Sequence, residues 1–171
     1  MQRPSWDRYF LDLMHEVSKR ATCDRGRAGA LLVQDRRIVS TGYVGSPPGM
    51  EHCDEVGHDL RRVLDEHGNE SSHCVRTIHA EQNAICQAAK HGTKLDGATL
   101  YCRMEPCRAC AMMILAVGIR RVVCERRYQA GAETRAMFAA ADVELEVVED
   151  SVQGYPEGAP DAAPGVSAPD A

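Results

Sequence analysis

The sequence predicts an α/β fold in which a mixed sheet packs between helices, and three observations carry that expectation. Two strand-like runs, Gly29 to Val33 and Ile38 to Tyr43, are separated by the polar Gln34-Asp35-Arg36-Arg37, the pattern of an antiparallel hairpin. From Glu81 onward, helix-like and strand-like segments alternate at the spacing of parallel strands joined by crossovers. No internal repeat competes with this reading.

Taken in order, Ser5 is placed to cap a helix ending near Arg20, with Trp6, Phe10, Leu13 and Val17 as its apolar stripe. The hairpin follows. Beyond Tyr43 the pattern dissolves: Gly45, Ser46, Pro47, Pro48 and Gly49 mark a turn-rich loop, and only Val56 to Glu66 suggests a short helix. Order returns with a helix from Glu81 to His91 and a strand from Ala98 to Cys102. A helix from Cys107 to Val117, a strand from Arg121 to Cys124, a helix from Thr134 to Ala141 and a strand from Val143 to Val148 complete the alternation.

At 171 residues and 44% hydrophobic content the chain is long enough to bury one core. No apolar run approaches the roughly 18 residues of a membrane span, and Met1 to Asp7 does not read as a signal peptide, so the cytoplasm is the expected location and no membrane partner is expected. The net charge of −5 arises entirely after residue 148, where Glu149, Asp150, Glu157, Asp161 and Asp170 meet no Lys or Arg. The rest of the chain is neutral, which argues against a protein that grips long nucleic acid through its phosphates. Prolines, glycines and alanines dominate after Ser151, so residues 1–149 are expected as the domain and 150–171 as a flexible acidic tail. Of the eight cysteines, Cys86, Cys102 and Cys124 fall in apolar patterns and read as small buried hydrophobes.

The chemistry concentrates in His79-Ala80-Glu81 and Pro106-Cys107-Arg108-Ala109-Cys110. One imidazole and two thiolates suit a tetrahedral zinc whose fourth position stays open to water, as a catalytic site requires. His-x-Glu joined to Pro-Cys-x-x-Cys is the signature of zinc nucleobase deaminases. Glu81 is the expected proton shuttle, and the main-chain amide of Ala80 the expected donor to the developing tetrahedral species. Cys107 and Cys110, three apart at a helix start, present both thiolates on one side of its first turn.

The long stretch after Tyr43 calls for a fastener, because extended loops are uncommon inside compact domains. Cys23, Cys53 and Cys74 supply soft ligands for a second, structural zinc, with His52, His58, His67 and His73 close by. Spacing does not choose the fourth ligand. His52 and His73 each adjoin a candidate cysteine, and His73 is the working candidate. The alternative is that these are unrelated loop residues.

The chain resembles the deoxycytidylate deaminases of the cytidine deaminase-like superfamily, including the bacterial competence-associated members. The resemblance rests on Arg3 to Asp7, Thr22-Cys23, Gly29-Ala30, Thr41-Gly42-Tyr43, His52 to Glu55, His79 to Ile85, Gly97 to Cys102, Pro106-Cys107 with Cys110, and Gly118-Ile119. It implies a five-stranded sheet between helices, a homo-oligomer, zinc-dependent hydrolysis of dCMP to dUMP and ammonia, and dCTP and dTTP as effectors. In some members it also implies a second zinc held by cysteines placed like Cys23 and Cys53. Family members typically read Gly-Tyr-Asn-Gly, with the asparagine bonding sugar or base, where this chain reads Gly42-Tyr43-Val44-Gly45. Asn83 or Ser46 is expected to take over that bond, unless the same chemistry acts on another aminated base, nucleoside or nucleotide. Met104 and Glu105 also depart from the family pattern. Lys90, Arg76, Arg103 and Arg108 are candidate partners for a substrate phosphate, and Tyr128 is a candidate to stack on a base. A catalytically silent, nucleotide-binding zinc scaffold is the rival of a different class, and the intact Glu81 argues against it.

Overall fold

A computed structural model describes residues 2–64 and 70–153. Helix α1 (Trp6–Ser18) starts where Ser5 accepts the amide of Arg8 at 3.2 Å, satisfying one of the unpaired donors of the first turn. Its buried face centres on Phe10, Leu11 and Met14, with Leu13 and Val17 at the flank. Trp6, expected in the stripe, is instead 48% exposed at the first position of the helix, where it stacks on Phe10 and carries the Arg36 guanidinium over its ring. Strands β1 (Gly29–Gln34) and β2 (Arg37–Tyr43) form the expected hairpin, and Asp35 and Arg36 both take positive φ at its tip, as a two-residue turn of primed type requires.

Between Tyr43 and His79 the chain forms a single short turn of helix, α2 (Cys53–Val56), then a two-stranded ribbon, β3 (Leu60–Leu64) and β4 (Glu70–Cys74). The helix expected over Val56–Glu66 is therefore corrected. Leu60–Leu64 pair antiparallel with the polar Glu70–Cys74, Arg62 meets Glu70 across the ribbon at 3.0 Å, and residues 65 and 66 lie outside the described residues. Cross-strand pairing, which no local periodicity of a polar segment reveals, decides the outcome.

Helix α3 (Ala80–Lys90), strand β5 (Thr99–Met104), helix α4 (Arg108–Ala116), strand β6 (Arg121–Tyr128), helix α5 (Ala132–Ala140) and strand β7 (Glu144–Gln153) follow as the alternation predicts. The main sheet has the order β2-β1-β5-β6-β7. β1 is antiparallel to both β2 and β5, whereas β5, β6 and β7 run parallel. This is the five-stranded mixed sheet between helices that the sequence predicts. Strand alternation sorts the core into two layers. Leu31, Val33, Tyr101 and Val123 face α1, while Ala30, Leu32, Leu100, Cys102, Val122 and Cys124 face α3, α4 and α5. Cys102 and Cys124 are buried as expected; Cys86 is exposed, lying on the solvent side of α3.

β6 continues to Tyr128 and β7 to Gln153, both beyond the ends read from apolar residues alone. β7 thus passes the boundary expected at residue 149, and the remaining tail from 154 lies outside the described residues. Among the described residues no helix is long and apolar enough to cross a membrane. An ion pair locks α1 to the start of β6: Arg121 reaches both carboxylate oxygens of Asp7 at 2.8 and 3.1 Å, and Tyr101 donates to the same carboxylate at 2.7 Å.

Candidate active site

The carboxyl end of β5, the start of β1 and the end of β2 lie on one side of the sheet, since Ala30 is opposite Cys102 and Gly29 opposite Tyr43. Helices α3 and α4 both begin there, matching the rule that open α/β sheets gather their chemistry at the carboxyl ends of strands. His79 stands immediately before α3, its amide donating to Gln82 Oε1 at 3.0 Å as half of a capping box. Cys107 is the N-cap of α4 and Cys110 lies in its first turn, so both sulfurs turn toward the start of α3.

The three ligand atoms converge. His79 Nδ1 is 3.5 Å from Cys107 Sγ and 3.4 Å from Cys110 Sγ. A tetrahedral zinc bound at about 2.3 Å to sulfur and 2.0–2.1 Å to nitrogen would separate those atoms by about 3.5 Å, so the donor set fits the ion in kind and in spacing. Electrostatics say the same. Cys107 is pulled down to about 4 by the hydrogen bond from Cys110 and by His79. His79 is pushed up to about 9 by Cys107, and Cys110 is pushed far up by Cys107 and by burial. The three groups are thus coupled through shared protons, a Cys107 thiolate beside a protonated His79 and a neutral Cys110 thiol, and a metal ion binding there would displace those protons. Glu81 lies beside it, with Oε2 3.8 Å from Cys110 Sγ, and burial raises its carboxyl above the usual carboxylate range. A carboxyl raised in this way holds a proton more readily than a solvated one, as a group that accepts and returns protons must.

These residues open into a pocket lined also by Ala28, Gly29, Val44 and Met104 on its apolar wall and by Arg25, His73 and Arg103 on its polar one. Val44 and Tyr128 line it as the sequence suggests. Three other candidates for substrate contact stand elsewhere. The side-chain amide of Asn83 donates to the Tyr43 carbonyl at 2.9 Å, fastening α3 to β2. Ser46 is outside the lining, its amide donating to Thr22 Oγ1 at 3.4 Å. Lys90 closes α3, about 13.5 Å along the helix from Glu81 at 1.5 Å per residue. Of the other cations, Arg108 pairs with Glu133 at 3.3 Å and Arg76 with Glu51 at 3.6 Å, while Arg103 alone lines the pocket. Arg25, which sequence reasoning missed, enters from the 3-10 turn Asp24–Gly26 and donates to the Ser72 carbonyl at 2.9 Å. Its one sequence signal is its place just after Cys23.

A second cluster adjoins that polar wall, and its Cys23 and Cys74 also line the pocket. Cys23, Cys53, His58 and Cys74 bring their ligand atoms within 4.8 Å of one another. Cys23 Sγ is 3.6 Å from His58 Nδ1, and Cys53 Sγ is 3.6 Å from Cys74 Sγ. The other nitrogen of His58 meets Asp24 at 3.0 Å, the carboxylate–histidine arrangement that orients metal-ligating imidazoles. The working fourth ligand, His73, is therefore replaced by His58. Adjacent residues of a strand face opposite ways, so once Cys74 turns to the cluster its neighbour His73 turns to the pocket. There burial and the charge on His79 hold the His73 imidazole below its usual range. His67 lies outside the described residues.

With this geometry in hand, residues 4–126 match the family described as the cytidine and deoxycytidylate deaminase zinc-binding region. The chain is 38% identical over 149 residues to ComE operon protein 2 of Bacillus subtilis, covering 87% of this chain and 74% of that protein. It is 40% identical over 126 residues to the deoxycytidylate deaminase of Mycobacterium phage D29, covering 72% of this chain and 96% of the phage enzyme. Among solved structures, the dCMP deaminase of cyanophage S-TIM5 in complex with dCMP and dUMP superposes with a TM-score of 0.67 at 26% identity, over 86% of this chain and 99% of that one.

Proposed function

This chain belongs to the cytidine and deoxycytidylate deaminase zinc-binding family and is a hydrolytic deaminase, and from that premise we propose that its substrate is a free pyrimidine nucleotide in the cytoplasm, dCMP, converted to dUMP and ammonia. One observation carries the reading: Glu81 stands beside the convergent His79, Cys107 and Cys110 at the floor of a pocket with cations on its rim. His79, Cys107 and Cys110 would hold a zinc ion, which would supply an acidic water at neutral pH, because coordination brings a water's pKa from about 15.7 to about 7. Glu81 is the residue placed to relay the two protons of the attacking water, one to the ring nitrogen beside the reacting carbon and one to the exocyclic nitrogen, which leaves as ammonia as the carbon–nitrogen bond breaks and the carbon–oxygen bond becomes a carbonyl. The first amide of α3, that of Ala80, has no acceptor within the helix and is the donor available to the developing oxygen.

Arg25, Arg103 and His73 are the groups proposed to meet the phosphate, Tyr128 the base, and Val44 the sugar, which it contacts without a hydrogen bond. The second cluster is proposed to hold a structural zinc through Cys23, Cys53, His58 and Cys74, a closed set that leaves no position for water. The resemblance adds a homo-oligomer and control by dCTP and dTTP.

Ammonia release from dCMP, dCTP, cytidine, guanine and adenosine tests the proposal. Turnover of dCMP is expected, and Glu81→Gln is expected to abolish it while retaining zinc. Turnover confined to another compound overturns the substrate assignment, and activity in the Glu81→Gln protein overturns the proton relay. Adding dCTP or dTTP to the same assay, and sizing the protein by ultracentrifugation, tests effectors and assembly.

A further inference from the structure

Glu105 departs from the family pattern at the residue but one before a metal ligand, and the structure gives it an occupation. It lies at the end of β5 with no exposed side-chain surface, where a lone carboxylate would be costly. Arg135, in the first turn of α5, reaches its two oxygens at 2.9 and 2.7 Å. The backbone amide of Tyr128 donates to Glu105 Oε2 at 3.0 Å. Tyr128 opens the tight turn into α5, closed by the Gly131 amide on the Tyr128 carbonyl at 3.1 Å. A Cβ on Gly131 would stand 2.4 Å from Glu105 Oε2 and 2.9 Å from Arg135 Nη1, so the turn closes against the ion pair only with glycine there. The neighbouring residues repeat the grip: Thr134 Oγ1, fully buried, donates to the Pro106 carbonyl at 2.8 Å. Two consecutive residues of α5 thus hold the two residues that precede Cys107.

We propose that Glu105 is a positioning residue: its buried carboxylate, clamped by Arg135, fixes the Tyr128 turn against the Pro106–Cys107 loop and so sets the wall of the substrate pocket. This rests on the deaminase reading for its kinetic consequence but not for its structural one. Glu105 touches neither of the two metal clusters, and its oxygens are spent on Arg135 and Tyr128. Its contribution therefore falls on substrate binding rather than on proton transfer.

The test compares Glu105→Gln, which offers Arg135 an amide in place of a charge, with Arg135→Lys, which keeps the charge but replaces the planar guanidinium whose Nη1 reaches both oxygens and is mild enough to fold whatever the fate of the first. Hydrogen–deuterium exchange of the segment containing the Tyr128 amide should quicken about tenfold in Glu105→Gln and less in Arg135→Lys. KM for dCMP should rise in the same order, by about tenfold in Glu105→Gln, the scale of a weakened hydrogen bond to a charged group. Zinc content should be unchanged and kcat should hold within about twofold, as for loss of uniform binding. Unchanged exchange at Tyr128 in both variants overturns the proposal, as does a fall in kcat at constant KM, which would put Glu105 in the chemistry, or a loss of zinc, which would put its effect on Cys107. Wild-type protein inert toward dCMP would sink the functional reading alone, because the exchange measurement needs no substrate.

Discussion

Replacing Gly42 by alanine should disable the site without touching Glu81 or any of the three metal-ligand candidates. Gly42 lies on β2 beneath the first turn of α3, and a Cβ there would stand 2.2 Å from the Ala80 carbonyl oxygen and 2.3 Å from the Ala84 amide nitrogen. Both are backbone atoms, so no rotamer change relieves the clash. Opening the contact to about 3.5 Å, where non-bonded atoms rest, moves the start of α3 by more than about 1 Å. The helix has no free direction, because Ser40 Oγ donates to the Ala84 carbonyl at 2.7 Å and Asn83 to Tyr43 at 2.9 Å. His79 and Glu81 move with α3, whereas Cys107 and Cys110 belong to α4. Metal sites hold their ligands to about ±0.2 Å, so a shift of that size is several times what the site tolerates. Overpacking of this kind costs about 1–3 kcal/mol, or roughly 2–12 °C in Tm for a domain of this length. A reacting group misplaced by about 1 Å costs about a hundredfold in rate. Gly42→Ala should therefore lose zinc to a weak chromogenic chelator that leaves the wild type loaded, lose about a hundredfold in ammonia release, and recover part of it when zinc is supplied in excess. Wild-type zinc retention and wild-type turnover in this variant would refute the claim that the β2–α3 approach fixes the geometry of the site.

Three further outcomes follow from the same coordinates. Metal analysis of purified protein should give two zinc per chain, and His58→Ala should give one with a lowered Tm, whereas His73→Ala should keep two; a single zinc in the wild type rejects the second site. Val44→Asn should lower KM for dCMP by about fivefold, the worth of one added hydrogen bond, because the backbone at Val44 is already anchored by the Ala28 carbonyl and Thr22 amide; an unchanged KM would show that the sugar does not approach this side chain. Arg121 holds the Asp7 carboxyl below the usual carboxylate range, so the pair's stabilisation is fully present above the unfolded value of about 3.9 and lost as pH falls through the lower folded value. Thermal melts should therefore find Asp7→Asn less stable than wild type at pH 6 and the gap narrowing below pH 4, and a gap that widens on acidification would contradict the assignment.

The sheet and its helices were legible because their apolar residues recur at the period of the element that buries them. β1 shows this best: Leu31 and Val33 face α1, and Ala30 and Leu32 face α3, so a continuous apolar run reads as a strand covered on both sides. Legibility failed where burial is one-sided or absent. Tyr128 is joined to β6, and Val152 and Gln153 to β7, through backbone pairing, with polar or exposed side chains that carry no periodic signal. The β3–β4 ribbon failed for the same reason, since charged Arg61 and Arg62 and polar Ser71 and Ser72 alternate nothing hydrophobic against anything polar.

The two metal clusters divide along the same line. His79, Glu81, Cys107 and Cys110 sit at the starts of helices, where a ligand's direction follows from its distance to the cap, so local sequence specifies the cluster. The second cluster draws on a loop, a single helical turn and a ribbon, and its fourth ligand depends on which face of β4 turns inward. Proximity in sequence favoured His73, the neighbour of Cys74, and that nearness is what disqualifies it, because a strand cannot aim two successive side chains at one ion. The exclusion has a consequence for the pocket. The ribbon that brings Cys74 to the second cluster also lines the pocket through Ser72, His73 and Cys74, so the proposed structural zinc and the proposed phosphate side of the pocket share one strand.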